Sequence, residues 1–585
     1  MLHSGGNGMW RKIVAGLGLF VLTFTGTPAQ INTRGVHFIP PVRFPIYLSS
    51  NFGEIRPSHF HSGIDIKTRG RIGEPIHVID NGYISRIKVA TGGYGKAVYV
   101  THPNGFTSVY CHLSRFTPAV EAWVKEQQYR QKSYTVNLFP SRGLFPVKQG
   151  DLIGWSGNTG NSFGPHLHFE IRETRREAPV NPLLFDFPVK DTLCPRIYRL
   201  YLYPESRSTF IAQRPGKQIF EVFPLAHGEY RTRDTLIQIS GPFSVGLEVL
   251  DRMNGTRNHF GVYSFRALLD GRTFFYYTMD EFTYAETRYI NSYIDYEEKV
   301  RHNRNVIRTI ILPNNRLDIY REVRDRGVLV LTDTLPHLLE FVVGDIHGNV
   351  SRLRTRVVKT PRPLMLVPAP PSPRPLARMN WERDNYYTFD GFRLYIPKGA
   401  LYDTLDFTME IDPPLRDSYA PVYGIHNPYV PLQKAYTVWI RPDHFPEGLE
   451  EKLLIAEVSD PGTPSARGGD WNGKEVTGKL ITFGKYTLLL DTTPPVIRPL
   501  FDPSRKDVAS LGRIAFLIRD DLSGIASYEG SIDGEWALFA YEPKRKRIEY
   551  IFDRSRIPAG KDHLVRVKVT DDRGNTAVFE KVLYW

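Results

Sequence analysis

The sequence predicts a mainly β protein built as several small domains in series. Three observations carry this prediction. The chain has 585 residues, too many for one hydrophobic core, since single cores stop growing at about 250–300 residues. Its 48 glycines and 44 prolines divide it into short stretches, and within these apolar and polar residues alternate with period two rather than 3.6. Aromatic residues reach 13%, and they suit a pleated, half-buried surface.

Element by element, the N-terminus comes first. Arg11 and Lys12 precede an apolar run from Ile13 to Thr25, and "TPAQ" follows. A charged start, an apolar stretch and a small-x-small site ending at Ala29 predict a signal peptide over 1–29. The run falls short of the roughly 20 residues a membrane-spanning helix needs. The expectation is export to the periplasm or cell envelope, with no integral membrane segment after cleavage. The formal net charge of +13 suits an anionic partner. No dense Lys/Arg tract or RNA-binding signature accompanies it, so nucleic acid is not an expected partner. Cys111 and Cys194 are the only cysteines. A Cys-rich zinc site is thereby excluded, and any metal must be held by histidine and carboxylate.

Residues 164–171, "GPHLHFEI", read as a strand: Leu167, Phe169 and Ile171 alternate with His166, His168 and Glu170. Both histidines then share one face. Upstream, His61-Ser-Gly-Ile-Asp65 places an imidazole and a carboxylate on one face of an extended segment, with Gly63 between them leaving room for an ion close to the backbone. His59 falls on the same face, and spacing alone does not separate it from His61. "VYVTHPNGFTSVYCHL" (98–113) reads as a hairpin around Pro-Asn-Gly, with Tyr110 and His112 facing one way and Cys111 the other as a small core residue. His102, beside the turn, reads as structural. "PVKQGDLIGWSGNTGNSFG" (146–164) reads as tight turns around short strands. The segment 114–145 has a helical composition and reads as a flap beside the site or a surface insertion. Three protein ligands with an open fourth position is the catalytic zinc arrangement. Asp65, His61 and one of His166 and His168 supply the three. The other histidine and His112 are then left to handle protons.

"HSGID", "VYCHL" and "GNSFGPHLHFEI", in that order, resemble the lysostaphin-like, LytM-type zinc endopeptidases (metallopeptidase family twenty-three). The resemblance covers about residues 45–185. It implies that His61, Asp65 and His168 bind Zn2+, that His112 and His166 are catalytic, and that His59 lies outside the site. It implies hydrolysis of peptide bonds in peptidoglycan, with the stem peptides as partner. Many members lack some of these residues and act as regulators or adaptors; here all five are present, which favours an enzyme over a non-catalytic envelope adaptor or a protease of other substrates. The long segment 114–145 departs from the family pattern.

The expected domains are a metallopeptidase domain over 30–190, an Ig-like β-sandwich with an insertion over 191–360, a Pro-rich linker over 361–376, a β-sandwich over 377–490 and an Ig-like β-sandwich over 491–585. A weak repeat supports the two Ig-like units. "SVGLEVLDRMNG" (244–255) resembles "RIAFLIRDDLSG" (513–524), and "VVGDIHGNVSRLRTRVV" (342–358) resembles "KVTDDRGNTAVFEKVL" (568–583). Each pair predicts the first and last strands of a sandwich. Asp251 and Asp520, each four before a glycine, read as turn residues, with calcium binding the alternative. The "IPKGAL" stretch (396–401) is similar to ZU-type sandwich domains. The sandwiches read as spacers or scaffolds, or as the docking site of an envelope protein partner.

Overall fold

The computed structural model describes residues 33, 35–362, 374–444, 447–458 and 463–585. The expected signal peptide and most of the Pro-rich linker lie outside these residues. The chain is mainly β, and among the described residues no helix is long and apolar enough to cross a membrane.

The N-terminal part rests on a nine-stranded sheet. Its main strands are β1 (Leu48–Ser50), β2 (Ile64–Lys67), β3 (Gly82–Val89), β4 (Lys96–Thr101), β5 (Phe106–Cys111), β6 (Val136–Leu138) and β7 (His166–Glu173). Their order is β1-β2-β7-β5-β4-β3-β6. The alternation in β7 explains its central place. Leu167, Phe169 and Ile171 are fully buried on one face, and burying three such side chains contributes about 1.5–3 kcal/mol each. The opposite face is left for the polar set. Register puts His168 directly across from Asp65 on β2 and from Cys111 on β5.

The segment 114–145 forms helix α1 (Pro118–Gln131) and then β6, which pairs with β3. Thr117 is extended and Pro118 opens the helix, where its missing N–H costs nothing. The helix turns Val120, Val124 and Gln128 inward. Its outer face meets the C-terminal domain: Lys125 pairs with Asp553 at 2.5 Å, Glu126 with Arg556 at 2.7 Å, and the Arg556 guanidinium lies over the Tyr129 ring at 3.7 Å. The segment extends the sheet and docks the last domain rather than standing free.

Residues 196–359 form an eleven-stranded sheet whose two ends contribute to one core, with Leu200, Val245 and Ile307 from one end and Phe265, Phe275 and Phe341 from the other. Phe52 and Phe60 of the N-terminal part enter the same core; both rings lie against Phe282, at 4.8 and 5.4 Å between centroids. Residues 377–490 form two five-stranded sheets and a two-stranded one around a second core, and 496–584 two four-stranded sheets around a third. The repeated strands differ from expectation in one respect. Phe243–Leu250 and Arg513–Arg519 are not first strands: each pairs with an earlier one, Arg196–Pro204 and Val496–Pro499. The earlier strands lack the Asp-x-x-x-Gly signal that marks the repeat, so they are invisible by comparison.

Candidate metal centre

Asp65 on β2 and His168 on β7 are a cross-strand pair, so their side chains leave the same face within reach of each other. His61 arrives from the connection before β2. Three ligand atoms converge: His61 Nε2 and Asp65 Oδ1 are 3.1 Å apart, His61 Nε2 and His168 Nδ1 3.0 Å, and His168 Nδ1 and Asp65 Oδ1 2.9 Å. All three residues are buried.

The outer partner of each ring sets which nitrogen faces inward. His61 Nδ1–H donates to the Asn51 carbonyl at 2.8 Å, which leaves Nε2 as a lone pair. His168 Nε2–H donates to Glu170 Oε1 at 2.8 Å, which leaves Nδ1 as a lone pair. Two nitrogen lone pairs and a carboxylate oxygen therefore face one another at about 3 Å, an arrangement that repels unless a cation sits among them. Tetrahedral ligation at about 2.0–2.1 Å separates ligand atoms by about 3.3 Å, close to the spacing here. The donor set fits zinc.

His112 and His166 flank the cluster. Their rings are 4.8 Å apart, and His166 Nε2 is 3.5 Å from Asp65 Oδ1. His112 Nδ1–H donates to the Thr159 carbonyl at 2.7 Å and His166 Nδ1–H to the Gly164 carbonyl at 2.8 Å, so both rings turn an Nε2 lone pair inward. Burial above all pushes the His112 imidazole down to about 3. Burial likewise lowers His166, against the pull of Asp65. Both rings are neutral near pH 7.

Behind His168 lies a buried carboxylate network. Glu170 is fully buried and accepts from Ser62 Oγ at 2.6 Å, Tyr94 OH at 2.5 Å, Tyr284 OH at 3.0 Å and Arg172 Nε at 2.7 Å. Burial opposes its charge, yet Arg172 and His168 hold it ionised, its carboxyl far below the usual range. The Tyr94 ring stacks on His168 at 5.3 Å. Sequence reasoning gave no role to Glu170, Tyr94, Arg172 or Tyr284. Glu170 stands inside "GPHLHFEI", the next residue after His168 on the same strand face, and that spacing is the signal that marks it. Tyr284 lies 190 residues beyond Tyr94 and carries none.

Two expectations are corrected. Cys111 does not face away from the site; it lies opposite His168 and shares its face, packed with Ala97, Tyr99 and Val109. His112 reaches that face too because its backbone is left-handed, φ +58°, which breaks the strand's alternation. Gly63 serves close packing of backbones rather than leaving room for an ion: a Cβ there would lie 2.3 Å from the Phe169 carbonyl oxygen. His59 is exposed, and its ring bonds Pro57 O at 2.8 Å. His102 is buried, bridging Asn81 O and Ser108 Oγ. Cys111 and Cys194 are both free thiols.

Residues 59–129 and 145–182 match Peptidase family M23. The chain carries an M23 peptidase domain of the LytM type. The match to the M23 domain skips residues 130–144, within the segment that departs from the family pattern. A second match, to the Zu5-like domain, spans residues 377–491. The DD-carboxypeptidase/endopeptidase Mpg of Neisseria meningitidis is 34% identical over 131 residues, 22% of this chain and 24% of that protein. The peptidoglycan DD-endopeptidase ShyA of Vibrio cholerae is 30% identical over 135 residues, 23% of this chain and 24% of that protein. The lysostaphin of Staphylococcus simulans is 32% identical over 111 residues, 19% of this chain and 17% of that protein. The chain thus spans about a quarter or less of the length of these relatives. Among solved structures, the catalytic domain of the prophage-encoded M23 protein EnpA from Enterococcus faecalis is 24% identical and covers 26% of this chain and 98% of that one, with a TM-score of 0.19.

Proposed function

We propose that the chain is an exported zinc-dependent endopeptidase that hydrolyses the peptide cross-links of peptidoglycan in the periplasm or cell envelope, during wall remodelling. The convergence of two imidazole lone pairs and a carboxylate oxygen, each oriented by a partner behind it, carries this reading. Relatives named as DD-endopeptidases support a cell-wall substrate, and the net charge of +13 suits an anionic polymer.

His61, Asp65 and His168 would hold the zinc, which when bound supplies a Lewis acid and a solvent molecule of lowered pKa. The remaining chemistry belongs to the chain. A neutral imidazole, His112 or His166, accepts a proton at Nε2 as water attacks the amide carbonyl. Once protonated, that Nε2–H is a donor, placed to stabilise the developing oxyanion or to protonate the departing amine. The carbonyls of Thr159 and Gly164 hold Nδ1–H in place throughout, so each ring moves protons only through Nε2.

The test is mass analysis of muropeptides released from defined sacculi. The expected result is loss of cross-linked dimers, with a D-Ala-to-diaminopimelate bond as the first candidate, abolished by a chelator and restored by zinc. Unchanged dimers with the zinc-loaded protein would refute the reading in favour of an adaptor.

A further inference from the structure

The two sandwiches on either side of residues 377–491 carry the same three aspartates. Asp191 and Asp491 each open an Asp-Thr-x-x-Pro stretch, Asp251 and Asp520 each stand four before a glycine, and Asp345 and Asp571 each stand three before Gly-Asn. The third turn is built alike in both copies. Asp345 Oδ1 accepts the N–H groups of His347 and Asn349 at 3.0 and 2.8 Å, and Asp571 Oδ1 accepts those of Arg573 and Asn575 at 2.9 and 2.8 Å. In the first copy ligand atoms of Asp191, Asp345 and His347 lie within 4.8 Å of one another, and in the C-terminal copy those of Asp491, Asp520 and Asp571.

The copies differ in the fate of the other oxygens. In the C-terminal copy, Asp520 Oδ2 accepts the N–H groups of Leu522 and Gly524 at 3.1 and 2.7 Å, and Asp491 Oδ2 that of Ser523 at 3.0 Å. In the first copy, Asp251 Oδ1 and Asp191 Oδ2 are buried without any hydrogen-bond partner, on residues only 1% and 9% exposed. Asp251 and Asp345 together line a cavity of about 10 Å³, room for a single water-sized particle. A buried carboxylate without a donor costs several kcal/mol unless it is neutralised or ligates a cation. Burial and the charge of Asp345 accordingly push Asp251 up to about 8, and burial with Asp345 pushes Asp191 to about 6.

We propose that Asp191, Asp251 and Asp345 hold one divalent cation of the calcium class. Asp251 joins Asp191 and Asp345 through the cavity it shares with Asp345, and three carboxylates, with the exposed His347 at the rim, suit a hard cation of flexible coordination rather than a second zinc. The site lies where the sandwich meets the M23 domain, since Asn51 and Phe52 also line the cavity. The Asn51 side chain bonds the N–H and C=O of Gly261 at 2.9 and 2.8 Å, and its own carbonyl holds His61 Nδ1–H. The cation thus fixes the sandwich against the residue that orients a ligand of the catalytic site.

The experiment is calcium binding by equilibrium dialysis to the full, zinc-loaded chain, with melting followed in parallel. The wild type is expected to bind one calcium and to melt higher with it. Asp251→Asn and Asp345→Asn should weaken binding at least 100-fold, and Asp520→Asn should leave it unchanged. Without calcium Asp251 is held protonated by its burial, so the isosteric Asp251→Asn should melt like the calcium-free wild type, which separates loss of a ligand from loss of fold. No stoichiometric calcium in the wild type, binding unaffected by Asp251→Asn, binding lost only in Asp520→Asn, or a second tight zinc in place of calcium would each overturn the proposal.

Discussion

Replacing Glu170 by Gln tests whether the network behind His168 sets the metal site. Glu170 accepts bonds from at least four side chains, from His168 and Ser62 at Oε1 and from Arg172 at Oε2. A glutamine amide must point its NH2 at one of these groups of donors, and neither arrangement restores the bonding. The substitution also leaves Arg172, whose side chain is 5% exposed, as a buried cation without its anion. Breaking a buried pair in this way costs about 3–5 kcal/mol, a melting shift on the order of 10 °C for a domain of this size. Loss of the carboxylate behind a ligating histidine typically lowers metal affinity about 10–100-fold, or roughly 1.4–2.7 kcal/mol. Zinc affinity measured against a competing chelator, with the melting of the zinc-free chain, separates the two effects. A variant that binds zinc within twofold of wild type and melts unchanged would refute the reasoning.

Three further outcomes are expected. His112→Ala and His166→Ala should each slow muropeptide release about 10²–10⁴-fold while one zinc per chain is retained; loss of the metal with activity would show these residues to be ligands instead. Gly63→Ala should destabilise the domain by more than about 3 kcal/mol, because the new Cβ meets backbone 2.3 Å away, read as a lowered denaturant midpoint. The stability of the 377–491 domain should fall as the pH drops below the usual histidine value toward 4: burial holds His426 down at about 4, and its Nδ1 accepts from the Thr408 N–H at 3.3 Å. The sign follows because the unfolded chain binds the proton first; a melting temperature flat between pH 6.5 and 4 would contradict it.

The parts of the site legible in the sequence are those governed by strand alternation. Asp65, His166 and His168 occupy positions where a period of two determines the face. His112 escaped that rule, since a left-handed residue at a strand end reverses its side chain and nothing in "VYCHL" announces it. Cys111 was misplaced for the same reason. The carbonyls that fix the imidazole tautomers, those of Asn51, Thr159 and Gly164, belong to turns whose residue types do not encode the direction of their C=O. Tyr284 reaches Glu170 only because Phe52 and Phe60 embed the M23 domain in the sandwich core, a packing of separate domains that single-segment patterns do not express. The mainly β architecture was legible because turn residues punctuate it so often. The strands Arg196–Pro204 and Val496–Pro499 were missed by the repeat because the two sequences share too few residues.

Anomalous scattering at the zinc edge from crystals of the full chain locates the metal. One peak is expected, bonded to His61 Nε2, Asp65 Oδ1 and His168 Nδ1 at about 2.0–2.2 Å and absent in Asp65→Ala. Zinc-loaded crystals with no peak there, or with the peak on His112 or His59, would contradict this ligation.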